Sequence, residues 1–381
     1  MTRRLSWLDT LRGLAMVWIL AYHLHADTAG VQAMGSSLVT GAHSMGGLGR
    51  LVVQAGYQGV GLFLFASGAA LAMAHARRSE PPLAFYRRRA ARLLPPYYLA
   101  VALTVAATWA LATWSRPMLD GVPYHPGPAS LVAAVTLVGR LWSVPLSQSP
   151  PPSAWFVVLI AQLYLLFPLL WRARLRLGGA GLAVVALAVT VVSRESVHLV
   201  LAGLVHRPQD ETYWLSILAP ARLFEFAAGV AAAPWLARLS PRSLAWLAAP
   251  GLVAWLAGSA MEGGALSPVS TSLIVAGAAA AGASVATLVG AVPLVGPGLR
   301  WVGRRSLEVF LVQDVVRLAL GTWIDSGHRV AWGPGSFAVF LVAVAALAAG
   351  FARTLRWGWL GRLSAGVAVG DRHPAVLAER L

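Results

Sequence analysis

Three side chains suited to proton and charge chemistry sit in one apolar stretch near the start of the chain, LDTLRGLAMVWILAYHLH: Asp9, Arg12 and His23. An imidazole exchanges a proton near neutral pH, a guanidinium holds an anion, and a carboxylate can orient either. On a helix advancing about 100° and 1.5 Å per residue, Arg12 and His23 are about eleven steps apart and share a face. Asp9 lies about 60° from Arg12 on the same side, so the stripe runs through about 21 Å of depth. A charged side chain at the centre of a bilayer costs roughly 2.5–3.5 kcal/mol, so the stripe must face a protein interior or a hydrated cleft. A packing network, with Asp9 pairing Arg12 and His23 bonding a backbone carbonyl, meets the same requirement. His25 points about 160° away from His23 and reads as interfacial.

The elements that must hold this stripe are membrane helices. The chain has 381 residues, 58% hydrophobic against 12% charged, and its apolar blocks recur along the whole length. We predict an all-α integral membrane protein with about ten transmembrane helices, near 7–25, 55–76, 95–114, 154–171, 178–192, 213–236, 243–260, 267–290, 306–322 and 335–352. The first reads as a retained span rather than a cleaved signal, because Asp9 and Arg12 interrupt it. The net charge of +16 is carried by arginine, with no lysine. Arg3 and Arg4, six arginines from Arg77 to Arg92, three from Arg172 to Arg176 and five from Arg353 onward all fall on one side of this alternation. That bias places both termini in the cytoplasm and explains the basic charge without nucleic acid. The short apolar piece 129–142 reads as re-entrant or interfacial. No repeat is visible, so residues 1–381 form a single membrane domain. With no cysteine, disulfides and thiol catalysis are excluded, and no His and carboxylate spacing resembles a metal site.

Two further stretches carry a resemblance. GYQGVGLFLFASGAAL from Gly56 is an apolar span with an embedded Ser67-Gly68, and FYRRRAARLLPPYY from Phe85 is a basic amphipathic turn leading into the next span. An Arg, ten residues and a His after LDTLRG, then GVGLFLFASG, then RRRAARLLP, resemble the membrane acyltransferase family 3, which includes O-antigen and peptidoglycan O-acetyltransferases. WFVVLIAQLYLLFPLLW from Trp155, RLFEFAAGVAAA from Arg222 and VGRRSLEVFLVQDVV from Val302 extend the similarity. Ile160 and Ala161 stand where many members have acidic residues, and Gln313 where many have a second His.

The resemblance implies transfer of an acyl group, usually acetyl, from cytoplasmic acyl-CoA to a hydroxyl of a cell-envelope glycan, a glycolipid or a glycosylated small molecule, with no tightly bound cofactor. Arg88, Arg89 and Arg92 suit the nucleotide's phosphates, although arginines beside a span also serve as orientation anchors. His23 would act as general base or carry a transient acyl group. Arg12 would steady the donor or the developing thiolate, with Asp9 holding its guanidinium. Asp27 either sets the His23 tautomer or is solvated. Tyr164 and Gln162 could bond the acceptor, while Arg222 and Glu225 form either a structural ion pair or a cavity lining. Ser67 reads as a packing residue beside Gly68. The rival reading is a transporter or flippase using Asp9, Arg12 and His23 as an intramembrane relay. The expected partners are therefore acyl-CoA, a glycan acceptor and the bilayer of the inner membrane.

Overall fold

The structure is a computed structural model, and it describes residues 6–29, 52–77, 80–141, 149–206, 210–261 and 267–357. The remaining residues, including both termini, lie outside the described residues. Twelve α-helices longer than five residues organise the described residues, in chain order. They are α1 (Ser6–Ala29), α2 (Gly59–Arg77), α3 (Pro82–Ala112), α4 (Pro128–Thr136), α5 (Trp155–His198), α6 (Glu211–Ile217), α7 (Leu223–Leu236), α8 (Ala248–Ala260), α9 (Ser267–Gly290), α10 (Val295–Arg304), α11 (Ser306–Asp325) and α12 (Pro334–Trp357). Between α3 and α4, a two-stranded antiparallel hairpin pairs β1 (Met118–Leu119) with β2 (Val122–Pro123).

Six helical stretches are long and apolar enough to cross a membrane, and a seventh span results if α6 and the 220–236 helix, bent by 80°, count as one. The protein is thus a multi-pass helical membrane protein. Helices α1 and α11 are 24 and 20 residues long, about 36 and 30 Å at the usual rise, but their charged side chains keep them outside that apolar set. The expected spans 154–171 and 178–192 both fall within α5, whose helical geometry breaks at Gly178 with φ 74° and ψ 177°. The α4 segment has nine residues, about 13 Å, too short to span.

One expectation changes. The stretch Phe85–Tyr98 is not a turn before a span. Helix α3 runs unbroken through it for 31 residues with Pro95 and Pro96 inside. Prolines remove backbone hydrogen bonds, which neighbouring helices can compensate inside a membrane. Here Pro82 occupies the first turn, where its missing N–H costs nothing. Tyr86 donates to the Leu165 carbonyl, Tyr97 to that of Ala134 and Tyr98 to that of Val135. The arginines of this stretch therefore stand on a helix fixed to α4 and α5.

Helix α1 is the centre of the bundle and packs against α2, α9, α10 and α11. Leu8, Leu11, Ala15, Met16, Ile19 and Leu20 are buried in the main core. A Cβ on Gly303 would overlap the Asp9 carbonyl and one on Gly13 the Leu299 carbonyl, so α10 lies backbone to backbone on α1. That contact brings the start of α11 to the first turns of α1. Burial among the remaining helices follows the same logic: α2 against α7, α5 against α7, and α3 and α12 against α11.

Candidate functional site

A cavity of about 370 Å³ lies between α1, α2, α3, α5, α10 and α11. Its contents change along α1. At one end stand four arginines, Arg77, Arg89, Arg92 and Arg304; then come Asp9, Arg12, Ser67 and Tyr164; the far end is lined by Met16, Ile19, Phe63, Phe156 and Phe310. Arg89 lies 5.5 Å over the Phe85 ring and 5.7 Å from the Tyr164 ring, so stacking holds its guanidinium. Arg12 lies 5.9 Å from the centre of the Phe63 ring. The stripe predicted from helical spacing is thus partly realised: Asp9 and Arg12 both line the cavity.

His23 sits just past this apolar end. Ile19 lines the cavity and His23 is one helical turn, about 6 Å of rise, further along α1. Its Nδ1 lies 2.8 Å from Oε1 of Gln313, which is one turn beyond Phe310 on α11. A carbonyl oxygen only accepts, so in this arrangement Nδ1 carries the proton and Nε2 keeps its lone pair. The residue is partly exposed, whereas Gln313 is buried. Sequence reasoning noticed Gln313 only as a departure from a second His. The structure makes it the side chain that orients the first.

Asp27 does not set the His23 tautomer and is not solvated. It is buried and takes a bidentate bond from Arg317, Nε to Oδ2 at 2.8 Å and Nη2 to Oδ1 at 2.9 Å. Arg317 also bonds Asp120 in the hairpin and Asp314 at 3.3 Å. Asp314 in turn accepts 2.7 Å from the Ser153 backbone N–H, and Asp27 accepts 3.2 Å from that of Asp120. One guanidinium therefore gathers three carboxylates from α1, the hairpin and α11. Asp314 and Arg317 are three residues apart on α11, a spacing at which helical side chains meet; the two distant partners leave no trace in the sequence.

Other expected positions separate. Arg89 and Arg92 line the cavity, but Arg88 does not; it pairs with Glu80. Tyr164 faces the arginine-rich end. Gln162 is occupied with backbone: its amide donates to the Val158 and Ile217 carbonyls at 3.2 and 2.8 Å and accepts from Ala219 N–H at 3.3 Å, bracing the break before α7. Arg222 donates through Nε and Nη2 to Glu225 Oε2 at 3.0 and 2.8 Å, an ion pair outside the cavity lining. Ser67 lines the cavity, and the close packing falls to its neighbour Gly68, where a Cβ would overlap the Phe226 carbonyl. Arg77 and Arg304 were missed because each also reads as an arginine flanking a span.

Arg140, within the short apolar piece 129–142, is fully buried. Its guanidinium donates to the carbonyls of Ser149, Pro150 and Pro151 at 3.2, 2.8 and 3.0 Å. It thereby fixes the proline-rich approach to α5; residues 142–148 of that loop lie outside the described residues. Among the described residues, no group of three or more His, Asp or Glu is placed to hold a metal ion.

A family model for the acyltransferase domain, Acyl_transf_3, matches residues 5–352. Neither a curated protein nor a solved structure matches the chain. That family match spans all six cavity-forming helices, His23 and Gln313, and the chain therefore belongs to acyltransferase family 3 and is a membrane acyltransferase.

Proposed function

We propose that this chain is an O-acyltransferase of the inner membrane. It moves an acyl group, acetyl in the first instance, from cytoplasmic acyl-CoA to a hydroxyl of an envelope glycan, a glycolipid or a glycosylated small molecule. The observation that supports this best is the alignment of an arginine-ended cavity with an oriented imidazole one turn past its apolar end. In this reading the chain crosses the membrane ten times with both termini inside, and the arginine-rich end opens to the cytosol.

The nucleotide phosphates meet Arg77, Arg89, Arg92 and Arg304, whose planar donors match phosphate oxygens better than an ammonium would. The thioester arm runs up the cavity past Asp9 and Arg12. About 16 Å of helix rise separates Arg12 from His23, so Arg12 steadies the arm rather than the thiolate leaving near His23, and Asp9 keeps that guanidinium in place. Tyr164 belongs to the donor end on the same grounds. Gln162, Arg222 and Glu225 are supports for the bundle rather than contacts to the acceptor.

At His23, Nε2 takes the acceptor hydroxyl's proton as its oxygen attacks the thioester carbonyl. The C–O bond forms, the C–S bond breaks, and the proton passes to the departing thiolate to give free CoA. The part-exposed imidazole lies outside the cytoplasmic cavity, so the acceptor comes to it from the side of the hairpin. Membership of an acyltransferase family favours this over a transport relay.

The test is labelled acetyl-CoA added to the purified protein in detergent, together with mass spectrometry of envelope sugars from cells with and without the gene. Binding and a gene-dependent acetyl mass support the reading. No binding, with unchanged sugars, rejects it.

A further inference from the structure

We infer that the packed rings of Phe63, Phe156 and Phe310 limit the length of the acyl group that this protein transfers. The inference rests on the acyl-CoA reading above. Phe63 and Phe156 stand edge to face with centres 5.4 Å apart, and Phe156 and Phe310 likewise at 5.2 Å. The three rings come from α2, α5 and α11 and line the apolar end of the cavity. All three are at most 9% exposed. His23 and Gln313 each lie one turn past this layer, so a thioester carbonyl reaches the imidazole only by passing the rings.

Phe156 is the middle ring and touches both others. Its backbone has little room to move. Ser153, one turn earlier, bonds Asp314 through its N–H at 2.7 Å and the Phe310 carbonyl through its hydroxyl at 3.3 Å. The start of α5 is thereby tied to α11 at Phe310 and one turn beyond it. The opening consequently depends on side-chain rotation and stays narrow, which suits a two-carbon acyl group and excludes a long chain.

The experiment uses membranes from producing cells, which carry the acceptor, and labelled acetyl-, butyryl-, hexanoyl- and octanoyl-CoA. Label in the glycan fraction is measured above a His23→Ala background. The wild type is expected to use acetyl at least 100-fold better than hexanoyl. Phe156→Ala should reduce that preference at least tenfold, and Phe156→Leu, which keeps more of the packing, at least threefold. A wild type that transfers octanoyl as well as acetyl overturns the inference, as does an unchanged preference in Phe156→Leu together with Phe63→Ala. If the wild type transfers acetyl and only the preference is unmoved, the rings are packing and the acyltransferase reading stands. If no acyl-CoA is used at all, both fail.

Discussion

Replacing Gln313 with Leu tests how His23 is made into a base. Leu fills a similar volume but cannot accept from Nδ1–H, which in the structure has Gln313 Oε1 as its partner at 2.8 Å. A buried donor left without an acceptor costs about 1–3 kcal/mol. At tenfold per ~1.4 kcal/mol, losing that stabilisation of the reactive tautomer slows transfer roughly 5- to 160-fold. The loss should appear in kcat and spare the KM for acyl-CoA, because Gln313 is not part of the cavity lining. Gln313→His restores an acceptor of similar reach and should recover most of the rate. Steady-state transfer of labelled acetyl to membrane glycans, with acetyl-CoA varied, separates the two constants. A Leu variant within twofold of wild type, or one whose defect lies in KM alone, would refute the role given to Gln313.

Three further outcomes follow from the same geometry. Arg89→Ala should raise the KM for acyl-CoA, since a charge-assisted hydrogen bond is worth about 1.5–3 kcal/mol, or roughly 10- to 150-fold; Arg88→Ala, outside the cavity and paired with Glu80, should leave KM unchanged. Equal effects in the two variants would reduce the cluster to an orientation signal. Arg317→Met strands the buried Asp27 and Asp314 carboxylates, a loss of about 3–5 kcal/mol, so the melting temperature in detergent should fall by several degrees or more; an unchanged value would count against the three-carboxylate cluster as a structural tie. Gly303→Val would drive a side chain into the Asp9 carbonyl, separating α1 from α10, and should sharply lower the yield of monodisperse protein, which size-exclusion chromatography would report.

What could be read from the sequence was whatever depends on local spacing. The apolar blocks announce membrane helices, and a 3.6-residue period is enough to put Asp9 and Arg12 on the wall they share. The pairs Arg222–Glu225 and Asp314–Arg317 are each three residues apart, and both form. Contacts made across the bundle left no such trace. Asp27 and Arg317 are 290 residues apart, as are His23 and Gln313, and nothing near Asp27 shows that a guanidinium from α11 will meet it. The basic stretch of α3 failed differently. Two adjacent prolines normally end a helix; this one continues, held to α4 and α5 by Tyr86, Tyr97 and Tyr98 and packed on α11. Arginines were ambiguous throughout, because anchoring a span and holding a phosphate require the same residue at the same depth. Only the cavity separates Arg89 and Arg92 from Arg88.

Our central proposal is that donor binding and transfer belong to different places on α1: the arginine-lined cavity holds acyl-CoA, and His23 beyond its apolar end performs the transfer. Its most direct test is acetyl-CoA binding by purified His23→Ala, measured alongside acetyl transfer in membranes carrying the same variant. Wild-type affinity with transfer abolished is the expected result. Full transfer without the imidazole would contradict it.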